Sequence, residues 1–445
     1  MESNQACDLS IKMLDEQKIS RPHWHIVITA GMGFFTDAYD LFIIGIVTAL
    51  LTSFWHLTDA QIALLNGASL ASAACGAVIF GSFADKFGRK KMYGVEVFIL
   101  FIGALLSAVS PSFGWLLVSR ILVGIGIGGD YPTSAVVASE YANRKNRGFL
   151  VLLVFAMQAV GLIIGPLFAS LLMFFNVPNY LVWRILLAFG AIPAASVFYL
   201  RRKIAETPRF LLSKSPLEVS RVVSDLAGHK DNAASTTTIH TPQKLFSPKW
   251  IKCLIGTAGA WFLLDVALYG NGVSSVLIMN AINYHASLLN HTLLSALIFL
   301  CFAVPGYVFA AIYVDKIGRR FLQITGFTIM ALCYLAIACI PSIRDILPLF
   351  IGIFGISFFF INFGPNATTF LIPSEIYPTP IRARAHGLSA AIGKIGAFMG
   401  AFFLPLLLNN KGLPITMIFV SIASLLGIFV TFFVPEMKGI SLERT

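Results

Sequence analysis

"DKFGRKK", residues 85–91, decides the fold of this chain, because "DKIGRR" at 315–320 repeats it roughly 230 residues later. Taken alone, the first string could be a solvated basic loop that only sets topology. Its glycine turn and its recurrence at the matching place in the second half point instead to a duplicated architecture. "ASEYANRKNRG" at 138–148 has a looser partner in "PSEIYPTPIRARAHG" at 373–387. Around these strings lie long apolar runs: 26–51, 61–83, 94–110, 113–139, 149–175 and 181–200 in the first half. The second half repeats them at 253–280, 291–314, 321–341, 346–372, 385–408 and 413–435. Each is near or above the ~20 residues a helix needs to cross the hydrocarbon core. The 445 residues are 57% hydrophobic and 12% charged, where a soluble chain would be about 25% charged. Continuous runs exclude a barrel, whose strands alternate in short segments. The expectation is an all-α membrane protein with twelve crossings in two pseudo-symmetric six-helix halves.

Residues 201–252 form the one long polar stretch and divide the chain into 1–200, a linker over 201–252, and 253–445. Short amphipathic helices are expected around 207–227 and a Ser/Thr-rich part at 231–248. With the N-terminus inside, only Arg184, Arg344 and Lys411 fall on the far side, and Arg120 and Lys394 lie within spans; the rest of the 32 Lys and Arg are cytoplasmic. Both termini are then cytoplasmic. The net charge of +11 becomes an orientation signal and a contact with the lipid bilayer, and nucleic acid is excluded as a partner. The first 22 residues are polar and mixed in charge, with no cleavable signal. Six scattered cysteines make no CxxC pair and read as packing residues.

An ionisable group deep in the bilayer costs roughly 2.5–3.5 kcal/mol on insertion scales, so each is a functional candidate. The sequence offers Asp37, Asp40, Arg120, Asp130, Asp265 and Lys394, with Glu96 and Glu140 nearer the cytoplasmic ends and Gln158 and Asn366 uncharged but deep. In "WFLLDVALYG" (261–270), Trp261, Asp265 and Tyr269 are four apart, and drift only about 40° per step around a helix. They form one stripe of indole, carboxylate and phenol. In "FFTDAYDLF", Asp37 and Asp40 stand three apart on one face, too close for both to stay ionised in low dielectric. A helix-to-helix hydrogen bond is the competing reading for Asp40. "RILVGIGIGGDYP" could be misread as a dinucleotide loop, but its glycines sit inside an apolar helix, where small residues let helices approach.

The loop strings, the six-plus-six layout and "VPEMKGISLE" at 434–443 resemble the major facilitator superfamily across essentially the whole chain. That resemblance gives Asp85, Arg89, Asp315 and Arg319 a second role in holding a cytoplasmic gate closed. "AGMGFFTDAYDLF" at 30–42, "GGDYPTSA" at 128–135, "FAMQAVG" at 155–161, "WFLLDVALYG" and "NFGPNATTF" at 362–370 together are similar to proton-coupled inorganic phosphate symporters. The resemblance implies phosphate contacts from Tyr131, Gln158, Trp261, Asp265, Tyr269 and Asn366, with Lys394 as a nearby cation. It also implies proton relay by Asp37 and Asp130; Asp40 is grouped with them as a third carboxylate. No cofactor or metal is implied, and the cell membrane is the expected location.

The chemistry is consistent on its own. An oxyanion wants indole, phenol, amide and ammonium donors. A carboxylate beside it is repulsive unless a proton lies between them. Dihydrogen phosphate carries such protons and sulfate at neutral pH does not, so Asp265 as acceptor would select the former. Two other readings stay open: a sugar or other organic-solute symporter of the same fold, suggested by "AETPRFLL" and the PEMKG tail, and a non-transporting nutrient receptor. An enzyme is not expected, since there is no HExxH or GxSxG and the eight histidines are scattered.

Overall fold

The computed structural model describes residues 13–214, 244–273, 275–282, 284 and 287–442. Cys7, the Ser/Thr-rich part of the linker as far as residue 243 and the expected helical stretch over 215–227 lie outside them. Among the described residues there is no strand. Helix is the answer the solvent demands: hydrocarbon offers backbone amides no partner, so each N–H must bond within its own segment.

The first half holds α1 (Arg21–Trp55), α2 (Asp59–Phe87), α3 (Arg89–Ala108), α4 (Phe113–Tyr141), α5 (Arg147–Phe174) and α6 (Asn179–Arg201). A short helix, Pro208–Lys214, follows α6, where the expected amphipathic helix begins. The second half holds α7 (Pro248–Gly272), α8 (Leu288–Ile317), α9 (Arg319–Cys339) and α10 (Leu347–Ile376). Last comes an unbroken apolar run, Thr379–Thr431, of 53 residues. At 1.5 Å per residue that run would extend about 80 Å, far more than one bilayer core of about 30 Å. Gly412 resolves this, with φ 78° and ψ 172°, a backbone geometry reserved for glycine. We label the parts before and after it α11 and α12. Among the described residues, eleven helical runs thus make the twelve expected crossings, the last two joined by a corner instead of a loop.

Polarity is arranged inside out relative to a soluble protein. Phe429, at 64% exposure, together with Phe98, Leu171 and Ile422 face outward, while Arg89, Arg120, Arg147, Arg201, Arg319 and Arg382 are fully buried. Large exposed apolar surface is stable only in lipid. The halves meet where α2 crosses α11 and where α5 packs on α8. Small residues permit the close crossings: a Cβ at Gly124 of α4 would meet the Ser69 Cα of α2 at 2.7 Å. On the other side, a Cβ at Gly396 of α11 would run into the Phe262 carbonyl of α7 and sit 3.0 Å from its Cα. That second crossing carries the functional consequence, since it draws Lys394 against Asp265.

One sequence assignment is corrected. Arg201, counted among the linker cations, is the last residue of α6 and is completely buried. Its guanidinium has buried carboxylates to meet, and those partners outweigh the cost of leaving water.

Candidate functional site

Trp261, Asp265 and Tyr269 lie along one stripe of α7 and are all buried, as the four-residue spacing predicts. From α11, the Lys394 ammonium donates to Asp265 Oδ2 at 3.2 Å and to the Tyr269 hydroxyl at 3.0 Å. The same cation lies 4.4 Å above the Tyr131 ring and 4.5 Å above the Tyr269 ring. A buried ammonium is tolerable only when paired and further hydrogen-bonded, and here it is both. Gln158 of α5 ties the halves together: its Nε2 donates to the Tyr131 hydroxyl at 3.2 Å, and its Oε1 accepts from the Tyr307 hydroxyl at 3.1 Å. Asn366 of α10 donates to Tyr307 at 2.8 Å and to Asn362 Oδ1 at 2.8 Å. All seven residues expected at a binding site therefore share one buried cluster, built from α4 and α5 on one side and α7, α10 and α11 on the other.

Tyr307 and Asn362 complete that network and were missed in the sequence. Tyr307 carried no signal, being a single polar residue in an apolar run; Asn362 opens the "NFGPNATTF" string, of which Asn366 alone was singled out. Below them Trp261 leans on Tyr131, centroids 5.8 Å apart, and meets the His386 ring edge to face at 5.5 Å. Phe370 stacks on Phe155 at 4.4 Å and touches Phe34 at 4.9 Å. This aromatic floor separates the cluster from the face of the bundle that carries the DKFGRKK loop, here termed the basic face.

A second polar cluster lies within the first half. Arg201 Nη2 donates to both oxygens of Asp130 at 2.7 Å, and its Nη1 donates to Glu96 Oε1 at 2.9 Å. Ser134 also donates to Asp130, and the Arg201 guanidinium rests 4.1 Å above the Tyr93 ring. Asp37 of α1 lines the same crevice as Asp130, but neither of its buried oxygens has a hydrogen-bond partner among the described residues. Asp40 turns elsewhere. Arg120 Nη1 sits 3.6 Å from its Oδ1, and Arg120 Nη2 donates to its backbone carbonyl at 2.9 Å. The expectation that Asp37 and Asp40 act as one close pair is therefore revised. Three residues rotate the chain by about 300°, leaving the two side chains some 60° apart. That difference turns Asp40 to Arg120 of α4 and leaves Asp37 in the crevice it shares with Asp130.

The four loop-motif residues stand at the basic face in two quasi-equivalent arrays. Arg89 pairs with Asp85 at 3.2 Å and Glu140 at 3.1 Å, and Glu140 also binds Arg382 of the other half at 3.0 Å. Arg319 pairs with Asp315 and Glu375, both at 2.8 Å, and Glu375 also binds Arg147 of the first half at 2.8 Å. Asp85 accepts backbone N–H from Ala383 and Arg384, and Asp315 accepts them from Gly148 and Phe149. Each array thus takes its last arginine and two amides from the opposite half. Glu206 accepts the Arg89 N–H at 3.1 Å and that of Lys90; Glu436 accepts those of Arg319 and Arg320 at 3.0 Å. Each glutamate caps the positive end of a spanning helix. Burial holds the Glu206 carboxyl above its ordinary value, against the pull of the amides and Arg89.

At the opposite face a cleft of about 210 Å³ opens between the halves, lined by Thr48, Asn66, Thr292 and Ser295 and ending at Phe42 and Phe299. The Phe42 ring lies 5.5 Å from Tyr269, between the cleft and the Lys394 cluster. The molecule is closed at the basic face by ion pairs and approached from the other side.

Residues 26–445 match the family described as "Sugar (and other) transporter". The chain is 35% identical to "Probable inorganic phosphate transporter 1-2" of Arabidopsis thaliana, over 98% of this chain and 96% of that protein. It is also 35% identical to "Low affinity inorganic phosphate transporter 1" of Petunia hybrida, over 97% and 94%. Among solved structures it is similar to the proton:xylose symporter XylE, a major facilitator superfamily protein, bound to 6-bromo-6-deoxy-D-glucose. That likeness has a TM-score of 0.80 at 19% identity, over 95% of this chain and 98% of the other. At such identity the likeness concerns the fold.

Proposed function

The chain belongs to the inorganic phosphate transporters of the major facilitator superfamily, and on that premise we propose that it imports phosphate together with protons by alternating access. Residues 1–200 and 253–445 form the two rocking units, joined through 201–252. They lie in the plasma membrane with both termini in the cytoplasm, so that the basic face is cytoplasmic. The observation that carries the reading is Lys394, a buried cation held at once by a carboxylate and a phenol at the junction of the halves.

An anion entering from the cleft competes with Asp265 for the ammonium. Dihydrogen phosphate resolves that competition, because its oxygens accept from Lys394 while one of its hydroxyls donates to Asp265. Sulfate at neutral pH lacks the hydroxyl, and its oxygens would face the carboxylate unpaired. Tyr131, Gln158, Trp261, Tyr269 and Asn366 are the remaining donors. Gln158, Tyr131 and Asn366 already belong to one hydrogen-bonded chain, so ligand contact at one end can be felt across the interface between halves. Protons travel on Asp37 and Asp130, with Asp40 the outlying carboxylate of that group. Neutralising them lowers the negative charge behind the site before an anion enters.

Purified protein in liposomes with an inward proton gradient tests this. Labelled phosphate should accumulate, unlabelled phosphate should compete, and sulfate and glucose should not. Accumulation of xylose or glucose without phosphate would replace this reading with the sugar symporter.

A further inference from the structure

Arg201 belongs to two structures at once. Its guanidinium closes the carboxylate cluster of α1, α3 and α4. Its backbone begins the short segment that leads to the basic-face gate. Five residues on, Glu206 accepts the N–H groups of Arg89 and Lys90. Next to it, the Thr207 hydroxyl donates to Glu140, the same carboxylate that binds Arg89 and Arg382. The segment between has little slack: Ile204 N–H bonds back to the Arg201 carbonyl at 3.1 Å, and Tyr141 donates to the carbonyls of Ala205 and Glu206.

The second half has the gate but not this link. Glu436 caps α9 as Glu206 caps α3. No buried carboxylate cluster anchors the chain before Glu436 among the described residues; its neighbours there, Phe432 to Pro435, are apolar. The asymmetry places the link in the half that holds Asp37, Asp130 and Glu96.

We propose that Arg201 is a positioning residue that couples the protonation of the Asp130–Glu96–Asp37 cluster to the basic-face gate, through the segment Arg201–Thr207. The proposal deepens the symport reading, and its proton arm rests on it. Three carboxylates face a single guanidinium, and both oxygens of Asp130 accept from one Arg201 nitrogen while Asp37 has no hydrogen bond among the described residues. Moving a proton onto Asp130 removes the charge that holds Arg201. The freed guanidinium keeps Glu96, the Ser134 hydroxyl and the Tyr93 ring, and with its main counter-charge gone the chain behind it can withdraw. Withdrawal pulls Glu206 off the Arg89 and Lys90 amides and Thr207 off Glu140, which loosens the Glu140–Arg382 bond between halves. Two sites then bias one element with two positions, the form that energetic coupling requires.

The test is hydrogen–deuterium exchange on the full-length chain in lipid nanodiscs, read as protection of the Arg89–Lys90 and 202–211 amides. Wild type should lose protection there by about tenfold on acidification, while the Arg319–Arg320 amides on Glu436 hold. Arg201→Gln should show the open level at every pH, with a flat profile. Arg201→Lys, which keeps the charge but not the fork, should keep a pH response with a shifted midpoint. The groups facing Arg201 are Asp130, Glu96, Asp37 and Tyr93; on the gate side Glu206, Asp85 and Glu140 all face Arg89. A pH response that survives in Arg201→Gln would assign the effect to the gate carboxylates on Arg89, namely Glu206, Asp85 or Glu140, and overturn the proposal. Unchanged protection in Arg201→Gln, with the protein monodisperse, would also overturn it. Phosphate exchange in liposomes is measured in parallel: its absence in wild type would fail the transport reading while leaving the exchange result to stand or fall alone.

Discussion

Lys394 and Asp265 depend on each other in a space that excludes water. Removing one partner of a buried pair leaves the other uncompensated, at a cost of about 3–5 kcal/mol. Lys394→Gln should therefore lower the melting temperature more than the double substitution Lys394→Gln with Asp265→Asn, as a thermal melt in detergent would reveal. Asp265→Asn alone keeps the shape and one acceptor but can no longer accept from both Lys394 and a phosphate hydroxyl. Phosphate affinity of the folded fraction should fall by about tenfold or more, equivalent to at least about 1.4 kcal/mol, alongside a lower melting temperature from the stranded Lys394. If uptake affinity is unchanged, Asp265 is not a ligand. The two aspartates of α1 separate by the same logic. Asp37→Asn should abolish proton-driven accumulation while sparing exchange of labelled for unlabelled phosphate. Asp40→Asn strands Arg120, so its first symptom should be reduced thermal stability; a changed pH profile of uptake with normal stability would instead put Asp40 in the proton route.

At the scale of elements, glycine decides two features that no side chain could. Gly396 lets α11 lie on α7, and any larger residue would drive α11 away from Phe262. Lys394 sits two residues from that contact, so its reach to Asp265 depends on the crossing. Gly412 turns the chain from α11 into α12 with a φ of 78°. Gly412→Ala forces a Cβ into that conformation, at about 1–3 kcal/mol. The expected outcome is a lower melting temperature and poorer yield with unchanged phosphate affinity, because the corner is remote from the site. A π-helical turn at Phe299–Ala303 interrupts α8 immediately before Pro305. Such bulges weaken the i to i−4 ladder, and this one places Phe299 against Phe42 where the cleft ends.

Across the whole molecule, the two ion-pair arrays oppose opening at the basic face, and each borrows an arginine from the other half. Breaking either loan should favour the opposite conformation. Arg147→Gln removes a bond to Glu375, and Arg382→Gln one to Glu140. Ser389 lies fully buried on α11 between the gate and Lys394, so it can report opening. A thiol placed there by Ser389→Cys should react with a water-soluble maleimide about tenfold faster in either background, a population shift worth about 1.4 kcal/mol. Equal rates would mean that the arrays stabilise the fold without controlling access.

The sequence by itself determined the solvent, and through it the fold class: runs of apolar residues long enough to span leave helix as the one geometry that satisfies the backbone. The repeated loop string gave the two halves, and the cost of burying charge singled out Asp37, Asp130, Asp265 and Lys394. Spacing also placed Trp261, Asp265 and Tyr269 on one stripe, because four residues is a property of a single helix. Partners were another matter. That Lys394 meets Asp265, that Gln158 reaches Tyr307, and that Arg201 turns inward to Asp130 depend on how separate helices cross. Arg201 shows the limit most clearly. Beside Arg202 and Lys203 it reads as one more loop cation, since composition averages over neighbours. Only the packing of α6 against α3 and α1 brought it within hydrogen-bond distance of Asp130 and Glu96, and electrostatic pairing in low dielectric acts at that range.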